Sequence, residues 1–325
     1  MRKYFTYKYM LLYGILALTA VFYIKNIIMY QADQYKTSLT GNDTILTPAP
    51  TPVTHSEKSP DTIYVRDAAL VLGDSTDVLI QKFGHPARIS KTEYDYSYYI
   101  YNNDYKKLLL VAVKKDQVVG FYTDSTDFEY MGIPYGATLT QINHALSENL
   151  PLSNVLTKSI PGYKISILMD TLDTGNAVGM YVISDEDSKA HFDDEVCASV
   201  EQLLYDLTNS ARVRNDQAPY SWSSSAGRAA RLHSQNMAKE NFFSHNDPSL
   251  RNPGDRLNAE GISYQKCSEN IIAGYDNAIL ACHGWYVSER NRKNLLSDYF
   301  RYLGIGFAYD KGSTYQTYIT QIFYR

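Results

Sequence analysis

The stretch Phe243-Ser244-His245 decides the fold when it is read together with three short stretches that follow it in the chain. They are Ser268-Glu269-Asn270, Trp285-Tyr286-Val287-Ser288-Glu289-Arg290-Asn291-Arg292 and Gly304-Ile305-Gly306-Phe307. Among these residues, His245, Glu269 and Asn291 offer an imidazole, a carboxylate and an amide for hydrogen bonding. These three side chains stand in separate segments of the C-terminal part of the chain.

Helical spacing and strand patterns surround these stretches. A helix with one buried face is predicted from residue 193 onward, because Val196, Val200 and Leu204 recur at helical spacing behind an acidic start. Further helices are predicted for residues 223–239 and 277–290, and residues 244–262 are expected to form a long loop. A hairpin is predicted for residues 303–309 and 315–323. The fold class that follows is α+β.

The four stretches resemble the signature of the CAP superfamily, the secreted proteins named after cysteine-rich secretory proteins, antigen 5 and pathogenesis-related proteins. The usual bacterial pattern reads F-S-H, G-E-N, W-x-N-S-x-G-H-R-x-N and G-x-G. The chain departs from it at Ser268, Val287, Arg290 and Asn291. The resemblance implies an α-β-α sandwich for residues 193–325. It also implies a concave cleft lined by two histidines and two acidic residues, in which the histidine pair can hold a divalent cation.

The match to this pattern assigns the cleft positions. His245 takes the first histidine position, Glu269 takes the first acidic position, and Asn291 stands at the second histidine position. An asparagine is a poor zinc ligand, so the divalent cation of the family is weakened here, and His245 and Glu269 remain as the metal candidates. We expect a polar cleft that binds an organic ligand or holds a cation loosely.

Three further residues are candidates for the cleft. Glu289 stands nearest to the second acidic position, and His283 could replace the missing histidine from the third predicted helix. His233 lies on the apolar stripe of the second predicted helix, where a buried core histidine is the competing interpretation. Arg292 and Asn294 favour a structural role, because they could satisfy carbonyl groups at the end of a helix.

Cysteine is scarce, with three residues in the chain. A disulfide between Cys267 and Cys282 would fit an extracellular location, and two unlinked thiols fit equally well. The odd count excludes complete pairing within the chain.

Residues 62–192 contain an internal duplication. Residues 73–84 and 136–146 each place a glycine and a hydroxyl side chain before a short helical pattern, and strand patterns follow both. The stretches Val118-Val119-Gly120 and Ala177-Val178-Gly179 recur in the two copies. The module resembles the CAP-associated N-terminal domain that precedes CAP domains in some Gram-positive extracellular proteins. Its tyrosine-rich strands predict either an exposed recognition face or ordinary amphipathic strands.

The first 61 residues predict an anchor and a spacer. Basic residues precede the apolar run 10–24, and no small-residue cleavage site follows it. Residues 1–30 therefore favour a cytoplasmic stub with a transmembrane signal anchor over a cleaved signal peptide. Residues 31–61 are rich in threonine and proline and predict an extended linker. We expect a single-pass protein of the cell membrane with both folded domains outside the cell, or a secreted protein if the signal is cleaved.

The charge balance of 31 basic and 35 acidic residues gives a net charge of −4, so nucleic acid is not an expected partner. Three functions remain open. The first is a non-enzymatic extracellular protein whose cleft binds a small ligand, a cell-wall component, a lipid or a cation. The second is an extracellular hydrolase or peptidase that uses His245 and Glu269, although no activated nucleophile is evident. The third is a protein-interaction module that uses the tyrosine-rich repeat. The sequence favours the first function, without enzyme activity.

Overall fold

The computed structural model describes residues 59–184, 190–275 and 277–325. They belong to one compact unit, Val53–Arg325. The predicted signal anchor, and the predicted linker up to residue 58, lie outside the described residues. Within the described part of the chain, no helix combines the length and the apolar character needed to cross a bilayer.

The N-terminal module of the described chain mixes short helices with strands. Capping residues account for the start of both helices, because Ser75 accepts a bond from Val78 N, and Thr138 forms a capping box with Gln141. The elements are β1 Thr62–Val65, β2 Ala68–Val71, α1 Thr76–Phe83, β3 Arg88–Lys91, β4 Ser97–Tyr101, β5 Leu109–Lys114, β6 Gln117–Thr123, β7 Glu129–Tyr130, β8 Ile133–Pro134, α2 Leu139–Leu146, β9 Val155–Ile160, β10 Tyr163–Met169 and β11 Ala177–Ser184.

The strand order of this module reflects the duplication in the sequence. A four-stranded sheet has the order β2-β1-β7-β8, and a seven-stranded sheet has the order β3-β4-β5-β6-β11-β10-β9. Apart from the extra edge strand β3, the strands β4, β5 and β6 of the first copy run inward from one edge of the seven-stranded sheet. The equivalent strands β9, β10 and β11 of the second copy run inward from the other edge. The repeated Val-Gly strands β6 and β11 meet in the middle as an antiparallel pair, with Gly120 opposite Ile183. The two copies are therefore joined through their equivalent strands.

The C-terminal domain places its helices on a second four-stranded sheet with the order β12-β14-β15-β13. Helix α4 lies directly on β14, where glycine is required: a Cβ atom on Gly306 would lie 1.9 Å from Arg231 N. The elements are α3 Asp194–Arg214, β12 Ser221–Trp222, α4 Ser224–Lys239, α5 Pro253–Ala259, β13 Cys267–Ala273, α6 Ala278–Tyr286, α7 Glu289–Leu295, β14 Tyr302–Tyr309 and β15 Thr317–Tyr324. Helices and sheets whose strand pairs are antiparallel, apart from the parallel pair β12–β14, confirm the predicted α+β class.

Two predictions about this domain are wrong in detail. The loop expected for residues 244–262 contains helix α5, which begins with a capping box between Asn252 and Asp255 and with Pro253 at its first position. The helix expected for residues 277–290 ends at Tyr286, because Ser288 is extended and a new helix, α7, begins after it.

The tyrosine-rich face of the seven-stranded sheet is covered by the C-terminal domain. Tyr96, Tyr98, Tyr122 and Tyr181 are at most 8% exposed and belong to one apolar cluster with the buried sides of α3 and α6. The prediction of an exposed recognition face is therefore wrong for these tyrosines, because the chain's own helices occupy that face.

Polar contacts fix the two domains against each other at the edge of this cluster. The buried carboxylate of Asp206 accepts bonds from Arg88 at 2.6 Å, Asn102 at 2.7 Å and Tyr105 at 3.0 Å. Asp206 lies on α3, and its three donors lie in the N-terminal module. A buried carboxylate with three donors is fully compensated, so these bonds determine how the domains align.

Candidate functional site

The centre of the candidate site is the contact between His245 and Glu269. His245 Nδ1 lies 2.8 Å from Glu269 Oε1. Because a carboxylate oxygen can only accept, Nδ1 donates the proton of this bond, and Nε2 is the ring nitrogen that the bond leaves unused. The side chain of His245 is 35% exposed and that of Glu269 is 1% exposed. Glu269 therefore holds the ring from behind, and the imidazole is the group that a ligand can reach.

Arg256 on α5 completes the pair. Its Nη2 donates to Glu269 Oε2 and, at 3.0 Å, to the carbonyl oxygen of His245. Its Nη1 donates to the carbonyl oxygen of Arg251 at 2.9 Å. Arg256 thereby ties the loop that carries His245 to the carboxylate that orients its ring. Arg256 was not a candidate in the sequence, and the signal that could have found it is its place in a short helix that begins with a capping box.

His233 on α4 forms the floor beneath this pair. The ring is fully buried, and Nε2 lies 2.9 Å from the carbonyl oxygen of Ser244 and 4.0 Å from Glu269 Oε1. A carbonyl can only accept, so Nε2 carries the proton. Burial lowers the pKa of His233, with Arg256 adding to the effect, and the neutral ring is favoured. His233 is a core residue that supports the Ser244-His245 segment.

Helix α7 supports the site from the side of β13. Asn294 Nδ2 donates to Asn270 Oδ1 at 2.9 Å and to the carbonyl oxygen of Glu269 at 3.3 Å, while Asn294 Oδ1 accepts from Ser268 Oγ at 2.8 Å. Asn270 Nδ2 donates to the carbonyl oxygen of Asn291 at 3.0 Å. Asn291 is half-buried. These amide bonds hold the strand segment that positions Glu269.

The structure places two of the sequence candidates away from this centre. His283 is buried at the domain boundary, where its Nε2 lies 2.8 Å from the carbonyl oxygen of Asn154. Burial lowers the pKa of His283 to about 4. Glu289 is exposed, and its carboxylate accepts from Lys293 at 2.9 Å. The structure therefore does not bring His283 to the contact between His245 and Glu269, and it pairs Glu289 with Lys293 on its own helix.

The three cysteines are unlinked in the structure. Cys282 lies in the large cluster shared by both domains, whereas Cys267 packs against a small cluster around Leu257. Burial raises the pKa of the Cys282 thiol to about 12. The thiols fit the interpretation of small apolar side chains.

The residues at the site do not fit the divalent cation that the family implies. Both oxygens of Glu269 are engaged, one by His245 and one by the cation of Arg256. His233 Nε2 donates to Ser244, and His233 Nδ1 is buried without a hydrogen-bond partner among the described residues. Among the described residues, no group of three or more histidine, cysteine or acidic side chains is arranged to hold a metal. The exposed His245 Nε2 and the buried His233 Nδ1 are two ring nitrogens, fewer than the three or four protein ligands of a zinc site.

The rim beside His245 carries exposed aromatic and apolar side chains. Phe243 is 44% exposed and meets the 47% exposed Tyr315 edge to face, with ring centroids 5.8 Å apart. On the same loop, buried Asp247 accepts from Ser249 N at 2.9 Å and from Arg251 N at 3.0 Å. These bonds fold the loop into a tight turn beside the imidazole.

Two family models match the chain. The model described as the cysteine-rich secretory protein family, CAP, matches residues 205–323, and the model described as CAP-associated N-terminal matches residues 72–198. The chain is also 24% identical over 279 residues to the uncharacterized membrane protein YlbC of Bacillus subtilis. That alignment covers 72% of this chain and 79% of YlbC.

Solved structures share the fold of both domains. An extracellular protein containing an SCP domain from Bacillus anthracis superposes with a TM-score of 0.69 at 23% identity, covering 86% of this chain and 100% of that chain. A cysteine-rich secretory protein from Staphylococcus aureus superposes with a TM-score of 0.60 at 15% identity, covering 78% of this chain and 93% of that chain. These likenesses show the fold, and the two family models identify the chain as a member of the CAP superfamily that combines a CAP-associated N-terminal domain with a CAP domain.

Proposed function

We propose that this chain is an extracellular, non-enzymatic binding protein whose CAP domain recognises its ligand through the exposed Nε2 atom of His245. The observation that carries the proposal is that both carboxylate oxygens of Glu269 already have bonding partners within the chain. Its two oxygens are bonded to His245 and Arg256, and its side chain is 1% exposed. A carboxylate in this state orients an imidazole, and it is not available to bind a ligand or a cation.

Two further observations support a location outside the cell and at the membrane. The name of YlbC calls that relative a membrane protein, and the solved protein from B. anthracis is called extracellular. In this chain, the apolar run 10–24 behind basic residues fits an anchor, and residues 31–61 fit a spacer. We propose that residues 1–30 anchor the chain in the membrane and that the two folded domains lie outside.

A binding screen with a histidine variant tests the proposal. Nitrogen-15 NMR spectra of the full-length chain would be followed while soluble cell-wall fragments, phosphatidylglycerol vesicles and cholesterol are added separately. We expect one of these probes to shift the resonances of residues 243–251, and we expect His245→Gln to abolish the shift. His191→Gln is the matched control, because His191 is exposed and lies outside the site. Shifts that survive His245→Gln would contradict the role of the imidazole.

The contact between His245 and Glu269 also supports a hydrolase as the second candidate function. A carboxylate 2.8 Å from Nδ1 is the arrangement that prepares Nε2 to act as a general base. Turnover of a peptide library that disappears in both His245→Ala and Glu269→Gln, with unchanged folding, would establish this alternative. The absence of turnover in the unmodified chain, together with ligand binding, would exclude it for the peptides tested.

A further inference from the structure

A surface hollow of about 540 Å³ lies where the two domains meet beside helix α7. Its walls come from Leu172 and Asp173 of the N-terminal module, from Asn215 and Gln217 after α3, and from one side of α7. This volume falls in the range of about 300–1,000 Å³ that small-molecule sites occupy, and such sites prefer domain boundaries. Within the described chain, the hollow shares no lining residue with the His245 site.

Helix α7 presents a continuous stripe to this hollow. Glu289, Arg292, Lys293 and Leu296 line it, and they follow the spacing i, i+3, i+4 and i+7 that places residues on one helix face. Asn291 and Asn294 make their contacts with β13 instead. The helix therefore supports the His245 site with one face and lines the hollow with another.

The floor of the hollow is rigid. Arg292 donates to both oxygens of Asp170, at 2.5 and 3.0 Å, and its guanidinium carbon lies 4.1 Å from the ring centroid of Tyr286. The Arg292 side chain is 14% exposed. The sequence predicted a helix-end role for Arg292, and the structure gives it a contact across the domain boundary. A floor fixed in this way needs little ordering when a ligand binds.

The rim of the hollow carries exposed charges of both signs in two surface ion pairs: Lys293 Nζ lies 2.9 Å from Glu289 Oε1, and Arg292 Nη2 lies 4.0 Å from Asp173 Oδ2. The side chains of Lys293 and Glu289 are 74% and 69% exposed, and the side chain of Asp173 is 74% exposed. An exposed lysine–glutamate pair of this kind contributes about 0.5 kcal/mol, so a ligand can displace it at little cost. The amides of Asn215 and Gln217 offer donors and acceptors between the charges, and Leu172 and Leu296 offer apolar contacts.

We propose that this hollow binds a short peptide with free ends. The ammonium of Lys293 would receive the peptide's carboxylate, and Asp173 would receive its amino group. The side-chain amides match the hydrogen-bonding groups of a peptide backbone, and the leucines match a small apolar side chain. A zwitterionic peptide can exchange both surface pairs, its carboxylate replacing Glu289 at Lys293 and its ammonium replacing Arg292 at Asp173, whereas a ligand with one charge can exchange only one. The proposal is independent of the ligand that binds at His245.

Isothermal titration of the full-length chain with Ala-Leu-Ala tests this site. The C-terminal amide of the tripeptide removes the carboxylate, and its N-acetyl form removes the amino charge. We expect each modification to raise the dissociation constant about twofold, the effect of one exposed ion pair. Lys293→Met should weaken binding of the free peptide by the same factor. It should leave binding of the amide unchanged, because the amide already lacks the carboxylate that Lys293 binds.

Two control variants distinguish this hollow from the rest of the surface. Lys311→Met removes an exposed lysine in the β14–β15 turn and should leave binding unchanged, and so should His245→Gln. Loss of peptide binding in His245→Gln would place the peptide in the other site and overturn the proposal. Equal affinity for the free peptide and its amide would also overturn it. Binding of N-acetylglucosamine in place of the tripeptide would assign the hollow to a saccharide, against the proposal.

Discussion

Arg256 and Glu269 form an ion pair whose side chains are 4% and 1% exposed. Water is therefore excluded from both partners, and each depends on the other to compensate its charge. The same guanidinium also binds the carbonyl oxygens of His245 and Arg251. One side chain thus couples the buried carboxylate to both ends of the loop that carries the exposed imidazole.

We expect Arg256→Met to lower the free energy of unfolding by about 3–5 kcal/mol, because it leaves a buried carboxylate without its cation. Urea denaturation measures this change. Arg228→Met is the matched control: Arg228 pairs with Glu260, its side chain is 53% exposed, and its loss should cost less than about 1 kcal/mol. Equal losses in the two variants would show that the buried pair does not stabilise the fold.

The lowered pKa of His283 predicts that the free energy of unfolding depends on pH. Burial lowers its pKa from 6.5 to about 4, so the unfolded chain binds a proton between these values and the folded chain does not. The stabilisation is complete above pH 6.5 and is lost as the pH falls towards 4, by up to about 3 kcal/mol.

The matched variant for this test is His283→Gln, which keeps a donor for the carbonyl oxygen of Asn154 but does not titrate. Urea denaturation of both chains at intervals from pH 7.5 to pH 4 isolates the histidine, because the carboxylates titrate equally in both. The stability of the variant should fall less over this window. Parallel curves would show that His283 does not contribute to the pH dependence.

The close contact between Gly306 and helix α4 predicts that no larger residue fits at this position of the CAP domain. A Cβ atom there would lie 1.9 Å from Arg231 N and 2.2 Å from Ala230 C, both of them backbone atoms of α4. Gly306→Ala must therefore push helix and sheet apart, and we expect a loss of at least about 3 kcal/mol or a failure to fold. Gly312→Ala meets only the side chain of Asp310 at 3.3 Å and should change stability by less than about 1 kcal/mol. Thermal unfolding of the two variants compares them directly.

Local signals in the sequence predicted the regular elements well. Asp193 and Ser223 cap the helices that they were expected to begin, since an N-cap side chain acts within its own turn. Helix α5 was missed, although Asn252, Pro253 and Asp255 carry a capping box and an N-terminal proline. Its seven residues form too few turns to produce an apolar period.

The duplication was visible in the sequence, but the joining of its copies was not. Which edge of one copy pairs with the other depends on tertiary packing, and neither β6 nor β11 carries a local signal for it.

The partners of the two arginines could not be predicted from local sequence either. Arg256 reaches Glu269 and Arg292 reaches Asp170, and their sequence separations are 13 and 122 residues. The partners of long charged side chains follow from the fold, so the sequence could place His245 and Glu269 together only through the family resemblance.

Zinc should have little effect on this chain. The exposed His245 Nε2 is the ring nitrogen that zinc can reach from solvent, because Arg256 and His245 engage both oxygens of Glu269 and the ring of His233 is fully buried. One imidazole binds zinc weakly, and a ligand present at less than its dissociation constant stabilises a protein by less than about 0.4 kcal/mol. We expect 0.1 mM zinc, roughly this weak-binding regime, to raise the melting temperature by less than about 2 °C, and EDTA to leave it unchanged. A shift of several degrees that disappears in His245→Gln and persists in His191→Gln would mean that Glu269 releases Arg256 to coordinate the metal.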